Sequence, residues 1–288
     1  MSNITPFGPT CILGEGPLWH PLRERLYWFD IIKGELYSSN KFGGQMRRWN
    51  FGEPASACGW LDEDTLVVAT ASGLQKFDVE QGHWETLVDM EADNETTRSN
   101  DGRVGPDGSF WIGTMGRALE PAVGAYYRLK RGKLECLFDR VSIPNATCFS
   151  PNGKTAYLAD TRKQVIWRWP LDDHGNPVGE REVHINLRDE NLNPDGAVCD
   201  AEGYLWNAQW GASRLARYAP DGSLDRVIDL PISQPTCPAF GGDDLRTLYM
   251  TSASEGLSKE QLSDQPDAGR CFMMQVDVPG VREHQLIV

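Results

Sequence analysis

Five polar side chains at widely spaced positions could together bind a cation and a small polar ligand. Glu15 lies between two glycines in LGEGPLW, Asn145 follows a proline in IPNA, and Asp195 lies in the turn-like segment NPDGA. Arg98 and Asn100 share the segment RSNDGR. Carboxylate and amide oxygens form a hard ligand set, which suits Ca²⁺, Mg²⁺ or Mn²⁺ better than a thiol-preferring metal. Three such ligands would leave positions open for water and substrate.

Each of these residues also has a purely structural explanation when it is taken alone. NPDG is a common turn sequence, a Pro-Asn pair precedes many strands, and Glu15 could cap backbone amides. The functional interpretation therefore depends on a fold that brings the five side chains to one place.

A module that recurs along the chain predicts such a fold. Six times, a turn rich in Asp, Gly, Asn or Pro precedes a short aromatic or β-branched run. Successive runs are spaced by 40, 44, 46, 49 and 43 residues, close to the roughly 40–50 residues of a four-stranded propeller blade. The core residues that mark the six runs are Leu26, Leu66, Phe110, Ala156, Leu205 and Leu248. We predict an all-β fold, a six-bladed β-propeller with a metal site in its central channel; a β-sandwich with evenly spaced hairpins is the alternative.

The polar segments each precede a blade's hairpin by a few residues, which places them on the innermost strands or their entry loops. Innermost strands line the channel of a propeller, and their ends converge at one mouth. Two carboxylates crowded at a partly buried mouth repel each other, and uncompensated burial costs several kcal/mol per ion. A bound cation would compensate them.

Composition and length favour one folded unit. The chain has 40% hydrophobic residues, ten Trp and 29 Gly in 288 residues, with no linker-like interruption of the repeat. We therefore predict a single six-bladed β-propeller domain over residues 1–288. Only Gly256–Leu262 reads as a helical turn, because no longer stretch has the 3.6-residue periodicity of an amphipathic helix.

Charge and cysteine usage limit the partners and the compartment. A net charge of −13 and a pI near 4.8 argue against nucleic acid or an anionic membrane as partner. The N-terminal residues resemble no signal peptide, so we expect a cytoplasmic protein. For its assembly we expect a monomer or a weak homo-oligomer. The seven cysteines include no C-x-x-C pair and are expected to be reduced and buried; a disulfide between Cys11 and Cys271 is the alternative.

Several enzyme classes lack support in the sequence. There is no G-x-S-x-G, H-E-x-x-H, G-x-x-x-x-G-K or G-x-G-x-x-G motif, and the five histidines form no ligand-spaced pair. A Ser-His triad, a His-based zinc site and a dinucleotide-binding dehydrogenase are therefore poorly supported.

Five longer segments resemble one known family, in the order in which that family has them. The segments are LGEGPLWH, RSNDGRVGPDGSFWIGTMG, NATCFSPNGKTAYLADT, NPDGAVCDAEGYLWNAQWG and CPAFGGDDLRTLYMTSASEGLS. Together they span nearly the whole chain and are similar to the senescence-marker-protein-30/gluconolactonase (sugar lactonase, LRE-like) family. The resemblance implies a six-bladed propeller that binds one divalent metal and hydrolyses a sugar lactone.

The resemblance also implies roles for individual residues. The family's three metal ligands match Glu15, Asn145 and Asp195, and its aspartate ligand is also the proposed general base. The metal implied is Ca²⁺, Mg²⁺, Mn²⁺ or Zn²⁺, with Fe²⁺ possible for relatives that act on pentonolactones. The substrate-binding arginine and asparagine match Arg98 and Asn100.

One family position has no aligned counterpart in this chain. Animal members carry a further substrate-contacting glutamate soon after the GTM motif, where this chain is shorter and has Ala118 at the ungapped position. Glu120 lies nearby and is the candidate replacement.

The expected activity is hydrolysis of an aldonolactone to its aldonic acid, in oxidative pentose or hexose breakdown. Arabinono-, xylono-, galactono- and gluconolactone are the substrates that the resemblance suggests. Two alternatives are a phosphotriesterase-like hydrolase on the same fold and a non-catalytic metal-binding propeller that serves as a scaffold.

Overall fold

The computed structural model describes residues 4–288. A short 3₁₀ turn covers Thr161–Lys163, and the helix α1 covers Lys259–Asp264. The strands in the described residues are, in chain order, β1 (Thr5–Phe7), β2 (Gly14–His20), β3 (Arg25–Asp30), β4 (Glu35–Asn40), β5 (Arg47–Asn50), β6 (Ala55–Trp60), β7 (Thr65–Thr70), β8 (Gly73–Asp78), β9 (His83–Asp89), β10 (Thr97–Val104), β11 (Phe110–Gly116), β12 (Gly124–Lys130), β13 (Lys133–Val141), β14 (Pro144–Phe149), β15 (Thr155–Asp160), β16 (Val165–Pro170), β17 (Glu182–Asn186), β18 (Asn193–Cys199), β19 (Leu205–Trp210), β20 (Arg214–Tyr218), β21 (Leu224–Asp229), β22 (Pro235–Gly241), β23 (Thr247–Ser252) and β24 (Cys271–Gln275).

These strands form six four-stranded antiparallel sheets. Five sheets use consecutive strands: β2 to β5, β6 to β9, β10 to β13, β14 to β17, and β18 to β21. The sixth has the order β22, β23, β24 and β1, so the N-terminal strand completes the C-terminal blade. The first strand of each blade contacts the first strand of the next, and β22 returns to β2. The predicted six-bladed β-propeller is confirmed.

The six runs recognised in the sequence are the second strands of the blades. Each second strand is buried on both faces, because one face packs on the preceding blade and the other on the following blade. The strands RLYWFD and TLVVAT accordingly read as continuous apolar runs. Trp28, Trp111 and Trp206 lie on second strands and are fully buried. The core is therefore a set of layers between blades, which leaves the innermost strands free to carry polar groups.

The predicted helical turn exists, but it begins later than expected. Ser258 is the N-cap, and its hydroxyl accepts from the Gln261 amide while the Gln261 side chain accepts from the Ser258 amide. This reciprocal capping box fixes the start of α1 at Lys259. The prediction of a turn over Gly256–Leu262 is thus correct in kind and shifted in its bounds.

All seven cysteines are free thiols in the described structure, so the alternative disulfide between Cys11 and Cys271 is not formed. Six of them are buried as predicted, but Cys136 is exposed. Cys136 lies on β13, the outer edge strand of its blade, where one face meets solvent. Within residues 4–288, no helix has the length and apolar character needed to cross a membrane.

Candidate active site

Five of the six residues predicted to form the site line one cavity. Its volume is about 160 Å³, and it lies where the innermost strands begin. Glu15 comes from β2, Arg98 and Asn100 from β10, Asn145 from β14, and Asp195 from β18. The remaining lining residues are Leu13, Met115, Leu119, Ile143, Thr161, Trp210 and Glu255.

Glu120 is not among the lining residues. Its Oε2 accepts a hydrogen bond from the backbone amide of Ala118 at 3.0 Å, and its neighbour Leu119 lines the cavity instead. The structure therefore brings together Glu15, Arg98, Asn100, Asn145 and Asp195 but leaves Glu120 beside the group.

Each innermost strand has a break in its register with the second strand, and in the four strands that carry site residues the break lies next to them. The pairing of β2 with β3 shifts between Glu15 and Leu18, and the pairing of β14 with β15 shifts between Asn145 and Cys148. The residues after the two site residues, Gly16 and Ala146, have φ values of 56° and 55°. Such bulges bend a strand and redirect a side chain. Here they occur at the residues whose side chains line the cavity.

The entry loops of two blades are held by equivalent aspartates at the ends of the second strands. Asp30 accepts from the backbone amides of Ile12 and Leu13 at 2.9 and 3.3 Å. Asp160 accepts from the amides of Ser142 and Ile143 at 3.1 and 3.2 Å. These bonds fix the backbone just before Glu15 and Asn145, because a carboxylate that accepts two amides restrains both.

A chain of hydrogen bonds orients the two amide side chains. Arg98 Nη1 donates to Asn100 Oδ1 at 2.7 Å, and Asn100 Nδ2 donates to Asn145 Oδ1 at 3.2 Å. Asn145 Nδ2 donates to Thr161 Oγ1 at 2.8 Å, and that hydroxyl donates to the Pro194 carbonyl at 2.7 Å. Since Thr161 uses its proton on Pro194, its oxygen must accept from Asn145. The bond to Thr161 thereby fixes the orientation of the amide, and Asn145 Oδ1, which accepts only from Asn100 Nδ2, keeps a lone pair for a further ligand.

The two site carboxyl groups are buried and electrostatically unfavourable together. Glu15 is 3% exposed and Asp195 is 6% exposed. Burial, followed by the charge of Asp101, raises the pKa of Glu15. Burial, followed by the charge of Glu15, raises the pKa of Asp195 well above its ordinary value. Asp101 is itself buried on β10, and burial raises its pKa as well.

This arrangement fits a divalent cation. The pKa values of these two carboxyl groups are raised because their buried charges are uncompensated, and a bound cation would stabilise both as carboxylates. Asn145 Oδ1 supplies a third hard oxygen. This amide and the two carboxyl groups make up the proposed set of three; among residues 4–288 no three His, Cys, Asp or Glu side chains are grouped as metal ligands.

Sequence reasoning missed two polar residues of the cavity, Thr161 and Glu255. Both follow the second strand of a blade, β15 and β23 respectively. In an antiparallel pair the end of the second strand lies beside the start of the first, so both positions face the same mouth of the channel. The signal available in the sequence was therefore the set of polar residues directly after each apolar run.

Comparison with known proteins places the chain in a family. Residues 13–254 match the model described as the SMP-30/Gluconolactonase/LRE-like region. The chain belongs to this family. It is 36% identical to the 6-deoxy-6-sulfogluconolactonase of Pseudomonas putida, with 94% of each chain covered. It is 34% identical to the L-arabinolactonase of Azospirillum brasilense, with 98% of this chain and 96% of that protein covered.

A solved structure supports the same placement. The crystal structure of a calcium-binding protein, regucalcin, from Agrobacterium tumefaciens superposes with a TM-score of 0.95 at 37% identity. The match covers 97% of this chain and 95% of that chain. The family resemblance expected from the five sequence segments is confirmed.

Proposed function

We propose that this protein hydrolyses a sugar lactone, an aldonolactone, to the corresponding aldonic acid with the help of one divalent metal ion. The observation that carries the proposal is the meeting of Glu15, Asn145, Asp195, Arg98 and Asn100 in one cavity. Membership of a family whose relatives are named sugar lactonases supports the reaction class.

Glu15, Asn145 and Asp195 would hold the ion, which is Ca²⁺, Mg²⁺, Mn²⁺, Zn²⁺ or Fe²⁺. The calcium-binding relative among the solved structures supports a divalent ion in this fold. When bound, such an ion polarises a carbonyl group and stabilises the negative charge that develops on its oxygen.

The remaining chemistry belongs to the side chains of the chain itself. Asp195 is the general base, because it is the acidic residue at the channel mouth that the family pattern assigns to proton transfer and its carboxylate lines the cavity. It takes a proton from the water that attacks the lactone carbonyl. Arg98 and Asn100 orient the ring oxygen or hydroxyl groups of the substrate. As the ring C–O bond breaks, the released ring oxygen takes the proton back from Asp195 and becomes a hydroxyl group, so the hydroxy acid forms without a covalent enzyme intermediate.

The cavity dimensions agree with a small substrate. A volume of about 160 Å³ is below the roughly 300–1,000 Å³ of pockets that hold drug-sized ligands. A small substrate such as a single sugar ring therefore suits this space better than an oligosaccharide.

The test is proton release in weakly buffered indicator dye with a panel of γ- and δ-aldonolactones. Protein stripped with EDTA is assayed alone and after addition of each of the five ions. We expect metal-dependent hydrolysis well above the spontaneous rate for at least one lactone. Metal binding without hydrolysis of any lactone would contradict the proposal; a phosphotriester substrate would then separate the phosphotriesterase alternative from the scaffold alternative.

The Asp195→Asn variant tests the assignment of the base. Asparagine keeps an oxygen atom for the metal but cannot accept the proton, so we expect kcat to fall about 10²–10⁴-fold. Metal binding, measured by calorimetry in parallel, should persist. Near-normal turnover in Asp195→Asn would remove Asp195 from proton transfer.

A further inference from the structure

Glu255 is a carboxylate of the cavity that neither the sequence motifs nor the family pattern assigns. It follows β23 in the sixth blade, and its backbone is fixed on both sides. Its amide donates to the Ile12 carbonyl at 2.9 Å, and its carbonyl accepts from Gln234 Nε2 at 3.1 Å. The side chain is exposed at the mouth of the cavity. A hydrogen-bonded backbone thus presents a solvent-exposed carboxylate to a ligand that enters the cavity.

Arg98 and Glu255 line the same cavity without forming an ion pair. In the part of the chain that the structure describes, residues 4–288, no carboxylate oxygen lies within 4.0 Å of the Arg98 guanidinium. The recorded hydrogen bonds of this guanidinium come from Nη1 and go to the Ser99 carbonyl and Asn100 Oδ1. Its other N–H groups therefore remain available as donors to a ligand.

The charges of these two residues act on each other across the cavity. Burial lowers the pKa of Arg98 to about 10, and Glu255 is the first of the carboxylates that oppose this shift, ahead of Glu15 and Asp195. The Arg98 guanidinium and the Glu255 carboxylate therefore border the same cavity and leave room for a ligand group between them. A hydroxyl group, which both donates and accepts, matches such a gap.

Apart from Thr161, the rest of the cavity wall is apolar. Leu13, Met115, Leu119, Ile143 and Trp210 supply it. The C–H faces of a sugar ring can pack on such surfaces while its hydroxyl groups reach the polar residues at the two sides.

Resting on the function proposed above, we propose that Glu255 accepts hydrogen bonds from substrate hydroxyl groups opposite Arg98 and makes the cavity selective for uncharged polyhydroxy lactones. Lactones with an anionic substituent are disfavoured. Glu255 then does what Glu120 was expected to do from the sequence.

The charge balance of the site gives the reason for this selectivity. The lining carboxylates are Glu15, Asp195 and Glu255, and the lining cation is Arg98. A divalent ion would offset Glu15 and Asp195, and Arg98 would offset Glu255. An added sulfonate or carboxylate on the substrate would find no further lining cation and would be repelled by the Glu255 charge in the same cavity.

The test compares one neutral lactone with its charged counterpart. Glucono-δ-lactone and 6-deoxy-6-sulfogluconolactone differ only at C6, so the ratio of their kcat/KM values reports on the substituent alone. For Glu255→Gln we expect KM for the neutral lactone to rise about tenfold, since a hydrogen bond to a charged acceptor is replaced by a neutral one. We expect kcat to stay within about twofold and the neutral-to-charged ratio to fall at least tenfold.

Glu260→Gln is the matched control. Glu260 carries the same charge in the nearby helix α1, is exposed, and does not line the cavity. It should leave both the KM and the ratio unchanged. Glu120→Gln tests the competing assignment. If Glu120→Gln lowers the neutral-to-charged ratio of kcat/KM while Glu255→Gln keeps the wild-type KM and ratio, the role of Glu255 is overturned.

A binding measurement separates this inference from the lactonase proposal. A neutral sugar δ-lactam, which resists hydrolysis, and its 6-sulfo derivative are titrated while tryptophan fluorescence is followed, because Trp210 lines the cavity. Wild-type protein that hydrolyses no lactone would refute the reaction but not the selectivity. Equal preference for the neutral lactam in wild type and Glu255→Gln would refute the selectivity, whatever the turnover.

Discussion

The orientation of one amide side chain depends on a hydroxyl outside the proposed ligand set. Thr161 accepts from Asn145 Nδ2 and donates to the Pro194 carbonyl, so it links β14 to the strand that carries Asp195. Groups that orient metal ligands through hydrogen bonds commonly change metal affinity 10–100-fold when they are lost. Thr161 is therefore a positioning residue for Asn145.

Replacement of Thr161 by valine should weaken divalent metal binding. Valine has nearly the shape of threonine but offers no acceptor, so Asn145 loses the bond that holds its Oδ1 toward the cavity. We expect the Kd, measured by isothermal titration calorimetry, to rise at least about tenfold. Thr161→Ser keeps the hydroxyl and should bind like wild type. Equal affinities in the valine and wild-type proteins would show that the amide is oriented by Asn100 alone.

At the level of single residues, the sequence predicted which proposed ligands line the cavity better than it predicted the other polar residues there. Glu15, Asn145 and Asp195 stand in distinctive Gly- and Pro-bounded segments, which are needed where a strand bulges at a site. Glu255 and Thr161 follow ordinary apolar strands and have no such signature. Their importance depends on an antiparallel pairing between strands, which no single segment encodes.

The first strand of each blade must bulge to aim its side chain, and in the first blade a glycine permits this. Gly16 has a φ of 56°, and a Cβ added there would lie 2.1 Å from the Ser56 carbonyl oxygen of the neighbouring blade. The backbone is thus left-handed and also tightly packed against β6. Alanine can meet neither requirement without movement.

We expect Gly16→Ala to lower both the free energy of unfolding and the metal affinity, because relief of the contact must shift Glu15. Gly132→Ala is the matched control, since Gly132 has a φ of 73° with no atom within 4 Å of the added Cβ. The control should lose about 1–2 kcal/mol for its backbone conformation alone. Urea unfolding measures both variants. A loss in Gly16→Ala no larger than that in Gly132→Ala would contradict the packing explanation.

The other end of β2 contains a buried histidine with a defined tautomer. His20 Nδ1 accepts from the backbone amides of Leu22 and Arg23, so Nε2 carries the proton and donates to the Asp62 carbonyl at 3.0 Å. Burial lowers the pKa of His20 to about 4 from its ordinary 6.5. Protonation of Nδ1 would replace an acceptor by a donor facing two other donors.

The pH dependence follows from the direction of this shift. Between about pH 6.5 and pH 4 the unfolded chain binds a proton at His20 that the folded chain excludes, so folding stability falls as the pH is lowered. The limiting slope from one group is about 1.4 kcal/mol per pH unit. Urea unfolding of wild type and His20→Gln across this range should give a steeper pH dependence for wild type. Parallel curves would show that His20 titrates normally in the folded protein.

The number of blades could be predicted from the sequence, but the closure of the ring could not. Repeats at 40–49 residues predict six similar units, because each blade is a local meander of consecutive strands. Closure joins β1 to β24 across almost the whole chain. Thr5–Phe7 is too short to show a period, and its partner is decided by the geometry of the ring.

The C-terminal segment forms a second link across the molecule. After the last strand it reaches the second and third blades, where the Leu286 amide donates to the Trp60 carbonyl and the Ile287 amide donates to the Gly108 carbonyl, both at 2.9 Å. Glu283 from this segment forms a buried ion pair with Arg103 on β10. The side chains are only 10% exposed for Arg103 and 6% for Glu283. The pair therefore connects the end of the chain to the channel wall.

Removal of the Glu283 charge should show how much this ion pair contributes to the free energy of unfolding. Glu283→Gln leaves the Arg103 cation buried without its partner, and breaking a buried pair in this way costs about 3–5 kcal/mol. Glu182→Gln is the control, because its pair with Arg168 has side chains that are 65% and 48% exposed, and such pairs contribute less than about 1 kcal/mol. Both free energies of unfolding come from urea titration. If Glu283→Gln costs no more than Glu182→Gln, the segment is held by its backbone hydrogen bonds and Leu286 alone; the expected excess would instead make the Arg103 pair part of the closure of the propeller.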